Sequence, residues 1–189
     1  MAQPTEAAKE GRFQQRRGPV LAWALAALLT STLGLRLSPL RFNHTRSLPR
    51  GLYRLTHEPL RRGDLVSACL PQAVSDLGRR RGYLHSGVCP SGVEPVLKRI
   101  LAVPGDTVDV DVRGLSLNGV PIEHSASVQT DHLGRPLTSF PSGFYHLGRS
   151  DYWLLSTYDP MSWDSRYFGP IERANILSTV RPVWLLDPP

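Results

Sequence analysis

The sequence predicts a mostly β, antiparallel domain behind one N-terminal transmembrane helix. An uncharged apolar run occupies residues 18–35, and shorter runs with apolar–polar alternation follow it, separated by prolines and glycines. Alternation with a period of two is typical of half-buried strands, whereas a long uncharged run is typical of a membrane helix. A chain of 189 residues has room for one domain and one anchor. We expect a cytoplasmic tail over residues 1–17, an anchor over 18–36 and an exported domain over 37–189.

The predicted anchor is short but has the composition of a membrane span. A helix that crosses the bilayer needs about 17–25 residues, and apolar residues here cover every face of the helix. A cleaved secretory signal and a buried core helix are alternatives that the run leaves open. Arg16 and Arg17 precede the run, and positive residues beside a first span stay in the cytoplasm. The domain after Arg36 is therefore expected on the periplasmic side of the inner (cytoplasmic) membrane.

The strands of the exported domain are predicted from short β-rich runs. These runs are GLYRL at 51–55, DLVSAC at 64–69, TVDVDV at 107–112 and YWLLST at 152–157. Asn118-Gly119 lies between apolar residues and predicts a hairpin, because both residues tolerate a positive φ. A run at 176–186 predicts a further strand in which Pro182 requires an edge or a bulge. One soluble helix is expected, over residues 73–80.

The distribution of charge argues against a nucleic-acid-binding function. The net charge is +6, but Lys and Arg are scattered and form no basic helix, so nucleic acid is not an expected partner. A basic surface next to a membrane is expected to contact anionic lipid headgroups instead.

Cys69 and Cys89 fall on the exported side, where they can form a disulfide; two unpaired thiols are the alternative. Their spacing is not that of a metal site, and we expect no metal and no cofactor.

The first candidate for chemistry is Ser47, in the segment RFNHTRSLPRGLY at residues 41–53. Pro49 restricts its own φ and keeps Leu48 extended, while Gly51 permits a close turn. A hydroxyl held on such a rigid turn suits a nucleophile, although most loop serines are solvated turn residues. A serine nucleophile also requires a base within hydrogen-bond reach.

Lysine is the sharper candidate for that base. Among 22 Lys and Arg residues, only Lys9 and Lys98 are lysines, and Lys98 lies in the apolar stretch PVLKRILAVPGD. Burial favours a neutral lysine, whereas arginine does not lose its proton. The alternative is a strand lysine whose ammonium reaches water. Six histidines also allow a Ser/His/Asp arrangement, but none lies in a local signature such as G-x-S-x-G.

A third window, STYDPMSWDSRYFGPI at residues 156–171, follows an apolar strand and is rich in hydroxyls and acids. Loops that leave a rigid strand often carry functional residues. Ser162 is placed to hydrogen-bond an amine, and Asp164 and Arg166 are placed to pair and brace the loop. An ordinary polar surface turn is the alternative for this window alone.

Together the three windows resemble the signal peptidase I family, and most closely its conjugative-transfer branch, the TraF-type peptidases that process pilins. Ser47-Leu48-Pro49 with Gly51 is similar to the family's serine turn, and the segment 98–106, KRILAVPGD, is similar to its lysine motif. The segment 162–169, SWDSRYFG, is similar to its third motif. Leu48 where general leader peptidases usually have methionine, and Tyr158-Asp159-Pro160 in place of Gly-Asp-Asn, both favour the conjugative branch.

The resemblance implies a signal-peptidase-like β fold around a Ser–Lys dyad. It implies Ser47 as the nucleophile, neutral Lys98 as its base and Ser162 as the group that orients the amine. Asp164 and Arg166 would support these three residues. The resemblance further implies an oxyanion hole formed by the hydroxyl of Thr45 and the backbone N–H of Ser47.

The function implied by the resemblance is the maturation of a pilin or other exported precursor, in contact with conjugation or type IV secretion machinery. Such a peptidase either hydrolyses its acyl-enzyme or cyclises the product. The first alternative is general removal of preprotein signal peptides by the same chemistry. The second is a noncatalytic structural component of the secretion apparatus, against which the intact Ser47 and Lys98 argue.

Overall fold

The computed structural model describes residues 20–23 and 39–187. The chain divides into two compact units, Met1–Pro39 and Leu40–Pro189. Residues 20–23 are helical. Within the described residues, no helix has both the length and the apolar character that a membrane crossing requires. The predicted cytoplasmic tail and most of the predicted anchor lie outside the described residues, so the anchor stays a prediction.

The second unit is mostly β, as the sequence predicts. Its strands are β1 (Leu40–Asn43), β2 (Gly51–Thr56), β3 (Leu65–Ala68), β4 (Val96–Ala102), β5 (Thr107–Asp111), β6 (Gly114–Leu117), β7 (Val120–Pro121), β8 (Gly143–His146), β9 (Asp151–Leu155), β10 (Ile171–Glu172) and β11 (Ile176–Leu185). Seven of them form one sheet in the order β1-β2-β11-β3-β4-β9-β10, and the other four form a sheet in the order β7-β6-β5-β8. Neighbouring strands are antiparallel throughout both sheets.

The core of the larger sheet lies around its central strands. Val66 on β3, Ile100 on β4 and Leu154 on β9 are fully buried in one apolar cluster. Apolar residues on alternate positions of adjacent strands share one face, so their burial holds these strands in register. Lys98 lies on β4, opposite Val66 in the register of β3 and β4. The lysine therefore lies on a central strand of the sheet, between β3 and β9.

An insert between β3 and β4 contains the soluble helix and the disulfide. Helix α1 (Gln72–Arg80) agrees with the predicted helix at 73–80. A disulfide joins Cys69 to Cys89, and Ser86 forms an isolated antiparallel bridge with Val93. The disulfide therefore connects the end of β3 to a small hairpin that precedes β4.

The predicted hairpin at Asn118-Gly119 is present in the smaller sheet. These two residues connect β6 to β7 and have φ values of 52° and 83°. Positive φ at both central residues is the conformation of the tight two-residue turns that Asn-Gly favours. A buried cluster that includes Val108, Leu115 and Trp153 packs under this sheet.

Two elements differ from the expectation or refine it. Helix α2 (Ser165–Phe168) lies where the sequence predicted a loop; one helical turn is too short to show a 3.6-residue period. β11 is long, and its register with β2 shifts between Pro182 and Trp184. This bulge confirms the expectation that Pro182 needs an edge or a bulge, because proline has no N–H to donate to a ladder.

Candidate active site

Ser47 lies on the turn that joins β1 to β2, residues 44–50, which we call the nucleophile turn after the role predicted for Ser47. The buried side chain of Asn43 organises this turn. Asn43 Nδ2 donates to the carbonyl oxygens of Thr45 (3.1 Å), Leu48 (3.0 Å) and Pro49 (3.1 Å). Asn43 Oδ1 accepts from the backbone N–H of Thr45 at 3.2 Å and from its hydroxyl at 2.9 Å. One amide therefore satisfies several backbone groups around Ser47 and fixes the path of the turn.

The turn is also fastened to the sheet beneath it. Leu48 is buried in a small cluster with Tyr53, and the Tyr53 hydroxyl donates to the carbonyl of Pro49 at 2.7 Å. Gly51 has a φ of 151°, and a Cβ added there would lie 2.2 Å from the carbonyl oxygen of Trp184. Only glycine fits this close approach of two backbones, which agrees with the sequence expectation for Gly51.

The structure brings Ser47, Lys98 and Ser162 into mutual contact. Lys98 Nζ lies 2.5 Å from Ser47 Oγ and 2.7 Å from Ser162 Oγ, and the two hydroxyl oxygens are 3.2 Å apart. Lys98 is 2% exposed and Ser162 is 5% exposed, whereas Ser47 is half-buried at the edge of a cleft. An amine is thus held next to a hydroxyl that remains accessible from solvent.

Burial changes the protonation of the amine. Removal from water lowers the pKa of Lys98 to about 8, because desolvation disfavours the ammonium form. The negative charge of Asp164 acts in the opposite direction, while the positive charge of Arg166 lowers the pKa further. A substantial fraction of the amine is therefore neutral near pH 8, and only the neutral form can accept a proton.

Asp164 and Arg166 form a fully buried ion pair that fixes the segment carrying Ser162. Arg166 Nε donates to Asp164 Oδ1 at 2.8 Å, and Arg166 Nη2 donates to Asp164 Oδ2 at 2.9 Å. Arg166 Nη2 also donates to the carbonyl of Ser162 at 2.9 Å. A bidentate pair with its remaining donors satisfied is the geometry in which a buried charge pair is tolerated.

A second contact of the ion pair reaches back to the nucleophile turn. Asp164 Oδ2 accepts from the backbone N–H of Ser156 at 3.0 Å, and the Ser156 hydroxyl donates to the carbonyl oxygen of Ser47. Asp164 also caps helix α2 by accepting from the N–H of Arg166. The end of β9, helix α2 and the nucleophile turn are therefore joined through one carboxylate.

A cleft of about 550 Å³ opens over the Ser47–Lys98–Ser162 group. Apolar side chains that include Leu84, Leu137 and Trp163 line it. A cleft with apolar walls and a few convergent polar groups is typical of a ligand-binding site. The arrangement can therefore hold a substrate against a hydroxyl that has a base beside it.

The structure thus groups most of the residues that the sequence singled out. Thr45 lies two residues before Ser47, and its hydroxyl donates to Asn43 in this conformation. The sequence missed Asn43 and Ser156 as parts of the site. Asn43 directly precedes the nucleophile turn, which is a signal for a side chain that bonds to the backbone of that turn. Ser156 opens the third sequence window, but its contact with the carbonyl of Ser47 depends on how β9 is placed in the sheet and leaves no local signal.

Three further polar groups that the sequence did not connect lie at the rim of the cleft. His44, His85 and Glu94 each offer a ligand-type atom, and these atoms lie within 4.8 Å of one another. All three residues line the same cleft as Ser47. The expectation of no metal rested on cysteine spacing and did not consider this group, whose members are far apart in sequence.

Comparisons with known proteins agree with the geometry. The family model for signal peptidase, peptidase S26, matches residues 18–185. A plasmid transfer protein TraF of Escherichia coli is 38% identical over 173 residues, which cover 91% of this chain and 97% of that protein. A conjugal transfer protein TraF of Agrobacterium fabrum (strain C58) is 38% identical over 151 residues, which cover 78% of this chain and 84% of that protein. These matches confirm the resemblance that the three sequence windows indicated.

Among solved structures, a signal peptidase I from Enterococcus faecalis V583 matches with a TM-score of 0.36 and 20% sequence identity. The match covers 66% of this chain and 98% of that chain.

Proposed function

Because the chain belongs to the signal peptidase family, peptidase S26, and is thereby a serine peptidase, we propose that Ser47 and Lys98 are its catalytic dyad. The observation that carries this proposal is the 2.5 Å contact between a buried lysine amine and a half-buried serine hydroxyl. Lysine can act as a general base when burial lowers its pKa toward the working pH.

In the proposed reaction, Ser47 Oγ attacks the carbonyl carbon of the scissile peptide bond. Neutral Lys98 takes the hydroxyl proton as the new C–O bond forms, and the carbonyl oxygen becomes an oxyanion. The backbone N–H of Ser47 stabilises that oxyanion. The hydroxyl of Thr45, which donates to Asn43 Oδ1 in this structure, joins it by rotating toward the oxyanion. A single such donor can contribute about 10²–10³ in rate. Ser162 holds the lysine amine in line through its 2.7 Å contact.

The tetrahedral intermediate then collapses to an acyl-enzyme. The C–N bond breaks, and the Lys98 ammonium returns its proton to the leaving amine. Lys98, neutral again, next deprotonates either a water molecule or a peptide amine, which attacks the ester. Water yields a linear product, whereas an amine of the same chain yields a cyclic product.

We further propose that the substrate is a pilin or other exported precursor of a conjugative transfer or type IV secretion apparatus. The support is that relatives matched over most of this chain are named plasmid or conjugal transfer proteins. The uncharged run at residues 18–35, with Arg16 and Arg17 before it, supports an anchor in the inner membrane and a domain on the periplasmic side.

The experiment that tests this proposal is cleavage of a co-expressed pilin precursor by the wild type and by Ser47→Ala, with intact-mass analysis of the products. We expect a serine-dependent product, and a mass one water below the linear chain would identify cyclisation. Serine-dependent cleavage of general preproteins together with an untouched pilin precursor would favour a general signal peptidase. Identical products with both enzymes would favour a noncatalytic component.

A further inference from the structure

The rim of the cleft holds a cluster of side chains that the peptidase chemistry does not use. His44 Nε2 lies 3.7 Å from Glu94 Oε1, and the rings of His44 and His85 are 5.5 Å apart between centroids. Two imidazoles and one carboxylate form a ligand set that proteins use for Zn²⁺ with a remaining position for water. We propose that His44, His85 and Glu94 bind a divalent transition-metal ion of the Zn²⁺ class at the mouth of the cleft.

Two of the three ligands are held opposite each other by the backbone. His85 and Glu94 face each other across the small hairpin of the insert, where the N–H of Glu94 donates to the carbonyl of His85 at 2.9 Å. The disulfide from Cys89 to Cys69 fastens this hairpin to the end of β3. A braced hairpin fixes the backbone of these two ligands before a metal binds, which lowers the entropic cost of binding.

The third ligand comes from the nucleophile turn and can adjust its position. The side chain of His44 is 48% exposed, so its ring can rotate without disturbing packed neighbours. Zinc bonds of about 2.0–2.1 Å place tetrahedral ligand atoms roughly 3.4 Å apart. The ligand atoms are now up to 4.8 Å apart, so they must move closer together to bind zinc. Rotation of the His44 side chain supplies that movement. Both cysteines are in the disulfide, so no thiolate of this chain competes for the metal.

A metal at this place connects the nucleophile turn to the insert across the cleft. His44 lies three residues before Ser47, and the cleft is lined by the three ligands as well as by Ser47 and Lys98. Bound metal therefore narrows the path by which a peptide reaches Ser47. This consequence rests on the proposed peptidase function, whereas metal binding itself does not.

The test is a titration of the full chain, purified without a histidine tag, with CoCl2 and then with ZnCl2. Co²⁺ is followed by its visible absorption, which reports ligand geometry, and Zn²⁺ by calorimetry. We expect one ion per chain and a weakening of about tenfold or more in His44→Ala, His85→Ala and Glu94→Gln. His57→Ala is the matched control, because His57 is exposed on the loop that follows β2. No Co²⁺ binding by the wild type, or equal binding by all four variants, would overturn the site.

A second measurement tests whether the bound metal hinders access of the substrate, separately from metal binding itself. Zn²⁺ should raise the KM for cleavage by the wild type and by His57→Ala, and should have a smaller effect on His44→Ala. Metal binding with no change in KM would contradict the proposal that bound metal narrows the path to Ser47. Absence of cleavage by every protein, with Co²⁺ binding intact, would count against the proposed peptidase function and leave the metal site standing.

Discussion

Lys98 is almost fully withdrawn from water, and its surroundings suit it to the role of base that we propose for it. Desolvation disfavours the ammonium, and Ser47 and Ser162 offer hydroxyl groups to either protonation state of the amine. Asp164 limits the fall of the pKa, so the amine keeps enough basicity to accept a proton. The same burial would leave an arginine protonated and unable to act.

The first prediction concerns the pH dependence of cleavage. The Lys98 pKa of about 8 lies below the ordinary lysine value, and the amine is a base only after it loses its proton. The kcat/KM should therefore rise with pH and level off above a midpoint near pH 8. At pH 7 about one tenth of the enzyme would carry the neutral amine. The measurement is kcat/KM between pH 6 and pH 10 with a substrate that has no titrating group.

A different midpoint would identify a different base. A rise centred at about pH 6.5 is the behaviour of histidine and would support the Ser/His alternative. A flat profile across this range would show that no group with the expected pKa of Lys98 limits the reaction. Either result would contradict the assignment of Lys98.

At the scale of elements, the nucleophile turn depends on one amide. Asn43 ends β1 and supplies hydrogen bonds to three carbonyls of the turn, so the position of Ser47 follows from this side chain and from the pairing of β1 with β2. Ser156 adds a contact from the end of β9. Both are positioning residues, since they act on the turn and not on the substrate.

The second prediction is that Asn43→Asp disturbs the position of Ser47 without disturbing the binding of substrate. The substitution keeps the acceptor for Thr45 but removes the donors to the three carbonyls, which costs about 1–3 kcal/mol in the free energy of unfolding. We expect kcat to fall by about tenfold or more, because a displaced nucleophile loses its alignment. KM should change much less. Denaturant unfolding and steady-state kinetics measure both quantities, and an unchanged kcat in folded Asn43→Asp would show that the turn needs no such brace.

The sequence predicted these elements unequally, for physical reasons. Strands with clear alternation, such as β5, and the Asn118-Gly119 turn carry their signal locally, so they were found. Helix α2 has four residues and depends on capping by Asp164, which no periodic pattern reveals. The group of His44, His85 and Glu94 forms only when the insert hairpin meets the nucleophile turn.

At the scale of the whole molecule, the site is assembled from segments that are distant in sequence. Ser47, Lys98 and Ser162 come together because β4 lies between β3 and β9, with the nucleophile turn held over them. The mostly β class follows from local alternation, whereas the proposed dyad was predicted from the three sequence windows taken together. The sheet order could not be predicted from one sequence, because long-range pairing leaves no local signal.

The third prediction concerns the disulfide that fastens the insert. Cys69 and Cys89 close a loop with a sequence separation of 20, and such a cross-link contributes about 2–4 kcal/mol to the free energy of unfolding. The double variant Cys69→Ser, Cys89→Ser should lose about that much in denaturant unfolding. Reduced wild-type protein is the matched control and should behave alike. Equal stability of the oxidised wild type and the double variant would show that the insert is held by packing alone.

The measurement that tests the central claim most directly is cleavage of one precursor by the wild type, Lys98→Arg and Lys98→Met, with circular dichroism to verify folding. Lys98→Arg keeps the positive charge without a usable base, and Lys98→Met fills a similar volume without any charge. The Ser47–Lys98 account predicts that both variants fold and that both lose at least about a thousandfold in kcat/KM. Cleavage near the wild-type rate by either folded variant would contradict it.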